Sequence, residues 1–314
     1  MVLAQIQENH VFDVVGFGEL MVEFIEDGNF SNNNKEYIRG IGGDVYNTLY
    51  SLSLMNVKTS FISSVGNDMF KEYMLEKLTS YSVDIQKIYV DFDYNNGIYF
   101  IQDTPDLNKI IQTYRDKSAA SYSLNEFSYP KILEFAMKAK IFYCTGITLA
   151  ICTKKELLIK LLKELHDNNV LVAYDTNVRP QLWDGNLKFE KETEENILPY
   201  VHMVLLTKED TLEEISVNTE EKLVDYYRSF NIDHIVVKDG ANGATYYNPK
   251  NMELIHVPAI TDIKVIDTTG AGDAFNGGFL SGYLNELSME ECLLQGVKLA
   301  TACIQVIGAI NYKV

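Results

Sequence analysis

Short apolar runs that alternate with amphipathic stretches leave this chain few ways to fold. Residues 11–18, 58–65, 141–145, 170–175, 203–206 and 234–238 read as buried strands, and residues 44–55, 70–80, 153–168 and 219–230 carry apolar side chains at helical spacing. Strands alternating with helices predict an α/β fold, with a mostly parallel sheet covered on both faces and ligand sites at the carboxyl ends of its strands. Residues 20–41 and 88–113 break the rhythm. Both alternate polar with apolar residues around Asn-rich or Asp-Pro turns, so they are expected to form a small β-sheet projecting from the main domain, with ordinary surface hairpins as the alternative. No linker, low-complexity tract or repeat divides the 314 residues, and one elaborated domain is the expectation.

Charge narrows the partners. Asp+Glu 44 against Lys+Arg 27 leaves −17, which repels phosphate backbones and anionic lipid, so neither nucleic acid nor a membrane surface is expected as a partner. An anionic small ligand would need a local basic site, and the arginines are only Arg39, Arg115, Arg179 and Arg228. Cys144, Cys152, Cys292 and Cys303 are far apart without zinc-site spacing, so reduced buried thiols are expected. With no basic-then-apolar leader and no run of about 18 apolar residues, the chain reads as cytoplasmic. The sequon Asn29-Phe30-Ser31 is then a chance match.

The chemistry is concentrated in Asp267-Thr268-Thr269-Gly270-Ala271-Gly272-Asp273-Ala274-Phe275, followed by a helix-compatible stretch rich in small residues. Gly270, Ala271 and Gly272 let the backbone turn tightly and aim N–H groups at one point, just before the positive end of a helix. Asp273 would sit at the edge of this anion hole, where positive potential should favour its carboxylate form. There it can accept a proton from a hydroxyl attacking the terminal phosphate of a nucleotide. The plainer alternative is a glycine turn whose aspartate caps the helix.

The nine-residue string resembles the DTxGAGDxF signature of the ribokinase-like, PfkB-type sugar kinases. The resemblance runs from about Val11 to about Gly308 and implies a three-layer α/β/α domain with a small β-sheet lid. It makes Asp273 the catalytic base and the Gly270-Ala271-Gly272 backbone the anion hole. Gly40-Ile41-Gly42-Gly43-Asp44-Val45-Tyr46-Asn47 matches the family's GGxxxN element, which implies acceptor contacts at Gly42, Gly43 and Asn47. Val236-Val237-Lys238-Asp239-Gly240-Ala241-Asn242-Gly243 matches the strand and loop that hold the nucleotide, implying roles for Lys238, Gly240 and Gly243, with Asn177 and Thr207 beside them. ATP as co-substrate and Mg²⁺ as its charge partner follow from the same resemblance, as does a homo-oligomer, a dimer through the lid.

Three more strings, Tyr114-Arg115-Asp116-Lys117-Ser118-Ala119-Ala120-Ser121, Thr145-Gly146-Ile147-Thr148-Leu149-Ala150 and Asp175-Thr176-Asn177-Val178-Arg179-Pro180-Gln181-Leu182-Trp183, look most like 2-keto-3-deoxygluconate kinases within the family. That resemblance implies that Tyr99, Tyr114 and Arg115 contact an acid sugar, with Arg179 near its carboxylate or the phosphates. An arginine fork suits either anion. Fructokinases share the third string, so fructose or another neutral sugar stays open, as does a non-catalytic nucleotide or sugar sensor. Where many relatives have two aromatics before the arginine, this chain has Thr113-Tyr114. Where many have NxxE it has Thr207-Lys208-Glu209-Asp210, which leaves Asp210 as the metal candidate. Gly16-Phe17-Gly18 lacks the third glycine of a dinucleotide fingerprint, and there is no GxxxxGK[ST].

Overall fold

The computed structural model describes residues 10–27, 36–103 and 109–313. The sequon at Asn29 and the tips of the two projecting segments lie outside these.

Thirteen strands are present among the described residues: β1 (Phe12–Phe17), β2 (Met21–Asp27), β3 (Glu36–Gly42), β4 (Thr59–Gly66), β5 (Val83–Asp91), β6 (Gly97–Asp103), β7 (Lys109–Tyr114), β8 (Ala139–Thr145), β9 (Leu171–Asp175), β10 (Met203–Thr207), β11 (His234–Lys238), β12 (Ala244–Asn248) and β13 (Glu253–Val257). Nine form a central sheet in the order β13-β12-β11-β10-β9-β8-β1-β4-β5, parallel except for the β11-β12-β13 edge. Its strands are apolar on both sides because both faces are covered. Along β1, Val14 faces one core and Val15 the other, and Leu205 and Leu206 divide in the same way on β10. One core is filled by helices Asp44–Leu54, Ala271–Leu284 and Met289–Cys303, and the opposite one by Tyr129–Ala136, Lys155–Asp167 and Glu220–Arg228. All four cysteines are buried free thiols, and burial pushes each thiol pKa up. No helix among the described residues is long and apolar enough to cross a membrane.

The remaining four strands form a separate sheet in the order β3-β2-β6-β7. Two antiparallel pairs, β2-β3 and β6-β7, are joined by a parallel β2-β6 contact. The second projecting segment starts later than residue 88. Residues through Asp91 belong to β5, which pairs in parallel with β4 at the edge of the central sheet. An edge strand with one solvated face alternates polar and apolar residues just as a hairpin does, so the pattern does not separate the two.

Strand order reverses around β1, which lies between β8 and β4. Crevices at the carboxyl ends of strands beside such a switch point are where ligands bind in open α/β sheets. Here those ends deliver Glu19 after β1, Thr145 at the end of β8, Asp175 of β9, Thr207 of β10 and Lys238 of β11.

Candidate active site

The 267–273 turn is tied down before it can offer anything to a ligand. Gly270 precedes the Ala271–Leu284 helix with φ +76°, and a β-carbon there would stand 2.4 Å from that of Ala309, so only glycine fits. Buried Asp267 accepts N–H bonds from Thr269 (2.7 Å) and Gly308 (2.9 Å), which pins the turn to the C-terminal segment. The Ala271 N–H is turned onto the Thr268 carbonyl at 3.2 Å. Among the three residues expected to supply an anion hole, Ala271 is therefore committed within the turn. What the helix offers an anion are the first-turn N–H groups of Gly272 and Asp273, which have no acceptor within the helix.

Asp273 is half-buried in that first turn. Its Oδ2 accepts from Asn47 Nδ2 at 2.8 Å, and its carbonyl accepts from the Thr48 hydroxyl at 3.2 Å, so the Asp44–Leu54 helix holds both ends of the residue. The expectation that positive potential keeps Asp273 ionised is corrected. Burial, then the Asp44 and Asp175 carboxylates, push its pKa up to about 8 against the opposing Asn47 hydrogen bond and the Lys238 charge. Two nearby carboxylates and desolvation outweigh a helix terminus and one ammonium. A carboxyl poised near neutrality suits a general base.

Beneath Asp273 lies a buried polar network of which only Lys238 belongs to a sequence motif at the expected nucleotide site, while Asp175, Asn276 and Tyr143 carry no expected role. Lys238 Nζ donates to Asp175 Oδ2 (3.0 Å) and Asn276 Oδ1 (3.1 Å), while Asn276 Nδ2 donates to Asp175 Oδ2 (2.6 Å) and stands 3.0 Å from the Tyr143 hydroxyl. Lys238 is thus buried and paired; its ammonium lies under the helix start, 3.6 Å from where a Gly272 β-carbon would be. On the other side, Asp44 Oδ2 accepts from Thr145 (2.5 Å) and Asn177 (3.0 Å), which draws Asn177 toward Asp44.

Among the other residues expected at a nucleotide, Gly240 (φ +51°) faces open space, whereas Gly243 (φ +98°) is glycine because a β-carbon would stand 2.1 Å from the Val257 carbonyl. Thr207 precedes the Lys208–Glu214 helix, whose Asp210 has its pKa raised by burial and held back by Arg179. Arg179 is exposed, donates to the adjacent Val178 carbonyl at 2.7 Å, and so lies electrically beside Asp210.

On the acceptor side, strand parity sorts the expected residues. Glu23, Gly40, Tyr99 and Thr113 are paired across β2, β3, β6 and β7 and share one face of the small sheet, where the Tyr99 hydroxyl donates to Glu23 Oε2. The space of a Gly42 β-carbon is filled by that hydroxyl, 2.1 Å away, and that of Gly43 by the Glu19 carbonyl, also 2.1 Å away. Both glycines therefore have a packing reason as well as the expected ligand role. Tyr114 does not join them: it pairs with Ile98 on the opposite face, packs edge-on against Phe100 at 6.1 Å, and is 62% exposed. The residue on Tyr99's face is Thr113. Arg115, just beyond β7, is buried in an ion pair with Glu19. A cavity of about 660 Å³ lined by Phe70, Ile98, Tyr114 and Arg115 lies toward Tyr114's side and includes neither Asn47 nor Asp273, so it is separate from the Asp273 cluster.

Comparison with known proteins shows the family and the fold. The model of the pfkB family carbohydrate kinases matches residues 11–313. A 2-dehydro-3-deoxygluconokinase of Haemophilus influenzae is 30% identical over 95% of this chain and 95% of its own length. The crystal structure of a PfkB protein from Polaromonas superposes with TM-score 0.80 at 23% identity, covering 95% of this chain and 97% of that one. An uncharacterized sugar kinase from Pyrococcus horikoshii in complex with ATP does so with TM-score 0.77 at 25% identity, covering 96% and 95%. With that family model matched from residue 11 to residue 313, the chain belongs to the pfkB family of carbohydrate kinases.

Proposed function

We propose that this kinase transfers the γ-phosphoryl group of ATP to a hydroxyl of 2-keto-3-deoxygluconate. The observation that carries the reading is Asp273 at the first turn of the glycine-pinned helix, held by Asn47, with Tyr99 of the small sheet near enough that burial, Glu23 and the Asp273 charge together raise its hydroxyl pKa. The similarity to a 2-dehydro-3-deoxygluconokinase over nearly the whole chain supports the acceptor, and that to a sugar kinase in complex with ATP supports the donor.

In this reading the Asp273 carboxylate takes the proton of the acceptor hydroxyl as that oxygen attacks the γ-phosphorus. The bond to the β,γ-bridging oxygen breaks and ADP leaves. N–H groups of the Gly272 turn stabilise charge on the transferred group, and Asn47 keeps the carboxylate aimed. The four-stranded sheet acts as a lid that excludes water and limits hydrolysis of ATP.

No group of three or more His, Cys, Asp or Glu among the described residues forms a metal cage. The exposed Asp210 still fits Mg²⁺, which takes one or two carboxylates and otherwise keeps water and nucleotide phosphates. Bound there, Mg²⁺ would supply charge neutralisation at the phosphates. Arg179 beside Asp210 would serve the same phosphates.

One observation favours a neutral sugar instead: Arg115 is already paired with Glu19, so its charge is partly cancelled before a ligand arrives. Initial rates with 2-keto-3-deoxygluconate and fructose, at fixed ATP and Mg²⁺, separate the two. We expect the acid sugar to have the higher kcat/KM, and Arg115→Ala to lower it by about 100-fold while changing fructose turnover little. Preference for fructose together with an indifferent Arg115→Ala overturns the acid-sugar reading, and no turnover across a panel of hydroxyl acceptors would point to a sensor.

We further propose a dimer through the lid, whose sheet leaves Ile38 and Ile111 about half exposed on one face, an arrangement that calls for a cover. Sedimentation should give twice the chain mass for the wild type and a shift toward monomer for Ile111→Asp. A monomeric wild type at micromolar concentration removes the proposal.

A further inference from the structure

Glu19 belongs to none of the motifs, yet it is among the most buried acids described, with its side chain 1% exposed in the connection between β1 and β2. Its Oε2 pairs with Arg115 Nη2 from the far end of the lid, and the arginine side chain is itself only 8% exposed. Stripping water from both ions costs more than a surface pair can return, so a pair this dry is weak evidence for stability and asks for another explanation.

Neither partner is satisfied. Glu19 Oε1 and Arg115 Nε are both sealed from solvent without a hydrogen-bond partner. The open side of the carboxylate is toward the acceptor face: a β-carbon on Gly97 would stand 2.8 Å from Glu19 Oε1, and Gly97 lies two residues before Tyr99, on the same face of β6. Glycine at 97 thus leaves room for the carboxylate, much as Gly42 leaves room for the Tyr99 hydroxyl.

We propose that Glu19 is a positioning residue for acceptor recognition: it fixes the Arg115 guanidinium at the end of the lid and, by sharing its charge, sets how strongly an acceptor carboxylate is preferred over a neutral sugar. Glu19 holds Nη2 and Nε is sealed, so the Nη1 donors are what the fork can offer an acceptor, in one orientation. An acceptor carboxylate gains the unused donors, whereas an acceptor without one gains little. The inference rests on the sugar-kinase reading above and goes beyond it by naming what holds the recognising arginine.

The test uses four full-length proteins: wild type, Glu19→Gln, Arg115→Gln and the double variant, in which both charges are gone and nothing is left buried unpaired. If Glu19 acts through Arg115, Glu19→Gln lowers kcat/KM for the preferred acceptor about tenfold, mainly through KM. The double variant is then no worse than Arg115→Gln alone, and KM for ATP stays within about twofold throughout. Multiplying losses in the double variant overturn the proposal, as does a Glu19→Gln protein that matches wild type, or an ATP KM that rises in step with that of the acceptor. Should Glu19→Gln fold poorly, the comparison of the double variant with Arg115→Gln decides alone. If the wild type prefers fructose, the acid-sugar reading fails and this proposal with it, whereas a wild type that prefers the acid sugar together with a Glu19→Gln protein of unchanged preference overturns the proposal alone.

Discussion

Asp273→Asn is expected to lower turnover by about 10²–10⁴-fold, the range general-base catalysis supplies, while nucleotide binding measured by calorimetry stays within about twofold. Asparagine keeps the shape of the side chain but cannot take the hydroxyl proton. The pH dependence makes the test more specific. With burial and the Asp44 and Asp175 carboxylates pushing Asp273 up to about 8, most of it is protonated at pH 6 in the free enzyme. The active form is the deprotonated one, so kcat/KM for the acceptor should rise with pH and level off above about 8, and this limb should vanish in Asp273→Asn. Folding has the matching sign. An aspartate whose folded pKa is raised above its unfolded value contributes most below the unfolded value and loses that contribution as pH rises through the folded one. Asp273→Asn should therefore be at least as stable as wild type at pH 8, which separates a catalytic loss from unfolding. A rate within threefold of wild type would remove Asp273 from the mechanism.

The second large effect is on stability. Lys238→Met removes the ammonium from a buried site where Asp175 and Asn276 both depend on it, and leaves the Asp175 carboxylate uncompensated next to the Tyr143 hydroxyl. Breaking a buried pair from one side costs about 3–5 kcal/mol, or roughly 10 °C in the midpoint of thermal unfolding for a domain of ordinary size. Thermal unfolding followed by circular dichroism checks it. Lys238→Met/Asp175→Asn should regain part of the loss, since the stranded charge is gone. A single variant that unfolds within two degrees of wild type would mean that the network is not what holds the β9 and β11 ends together beneath the helix start.

The rhythm of apolar runs locates the central sheet because residues 14–18, 203–206 and 235–238 are buried on both faces and announce it continuously along the chain. It misjudged β5, whose edge position produces the same alternation as a hairpin. The 267–273 turn was legible because its geometry is local: Gly270 needs a left-handed backbone, Asp267 bonds two residues ahead, and Asp273 lies in the first turn. The supporting shell was not legible. Asp175, Asn276, Tyr143 and Lys238 meet only once four segments distant in sequence are assembled, and nothing in their spacing reports it. Charge at Asp273 was misjudged for the same reason, because Asp44 and Asp175 reach it through the fold. Tyr114 shows a subtler limit. One residue of register places a strand side chain on the opposite face, and only the pairing of Ile98 with Tyr114 and of Tyr99 with Thr113 reveals that the tyrosine faces away.

The most direct test of the account follows the phosphoryl group itself. Wild-type protein is incubated with γ-labelled ATP, Mg²⁺ and 2-keto-3-deoxygluconate, and the products are separated. The account predicts label in a sugar-acid phosphate, formed in step with ADP and far faster than inorganic phosphate. Label that stays in ATP, or that appears as inorganic phosphate at the same rate with and without the sugar acid, would contradict it.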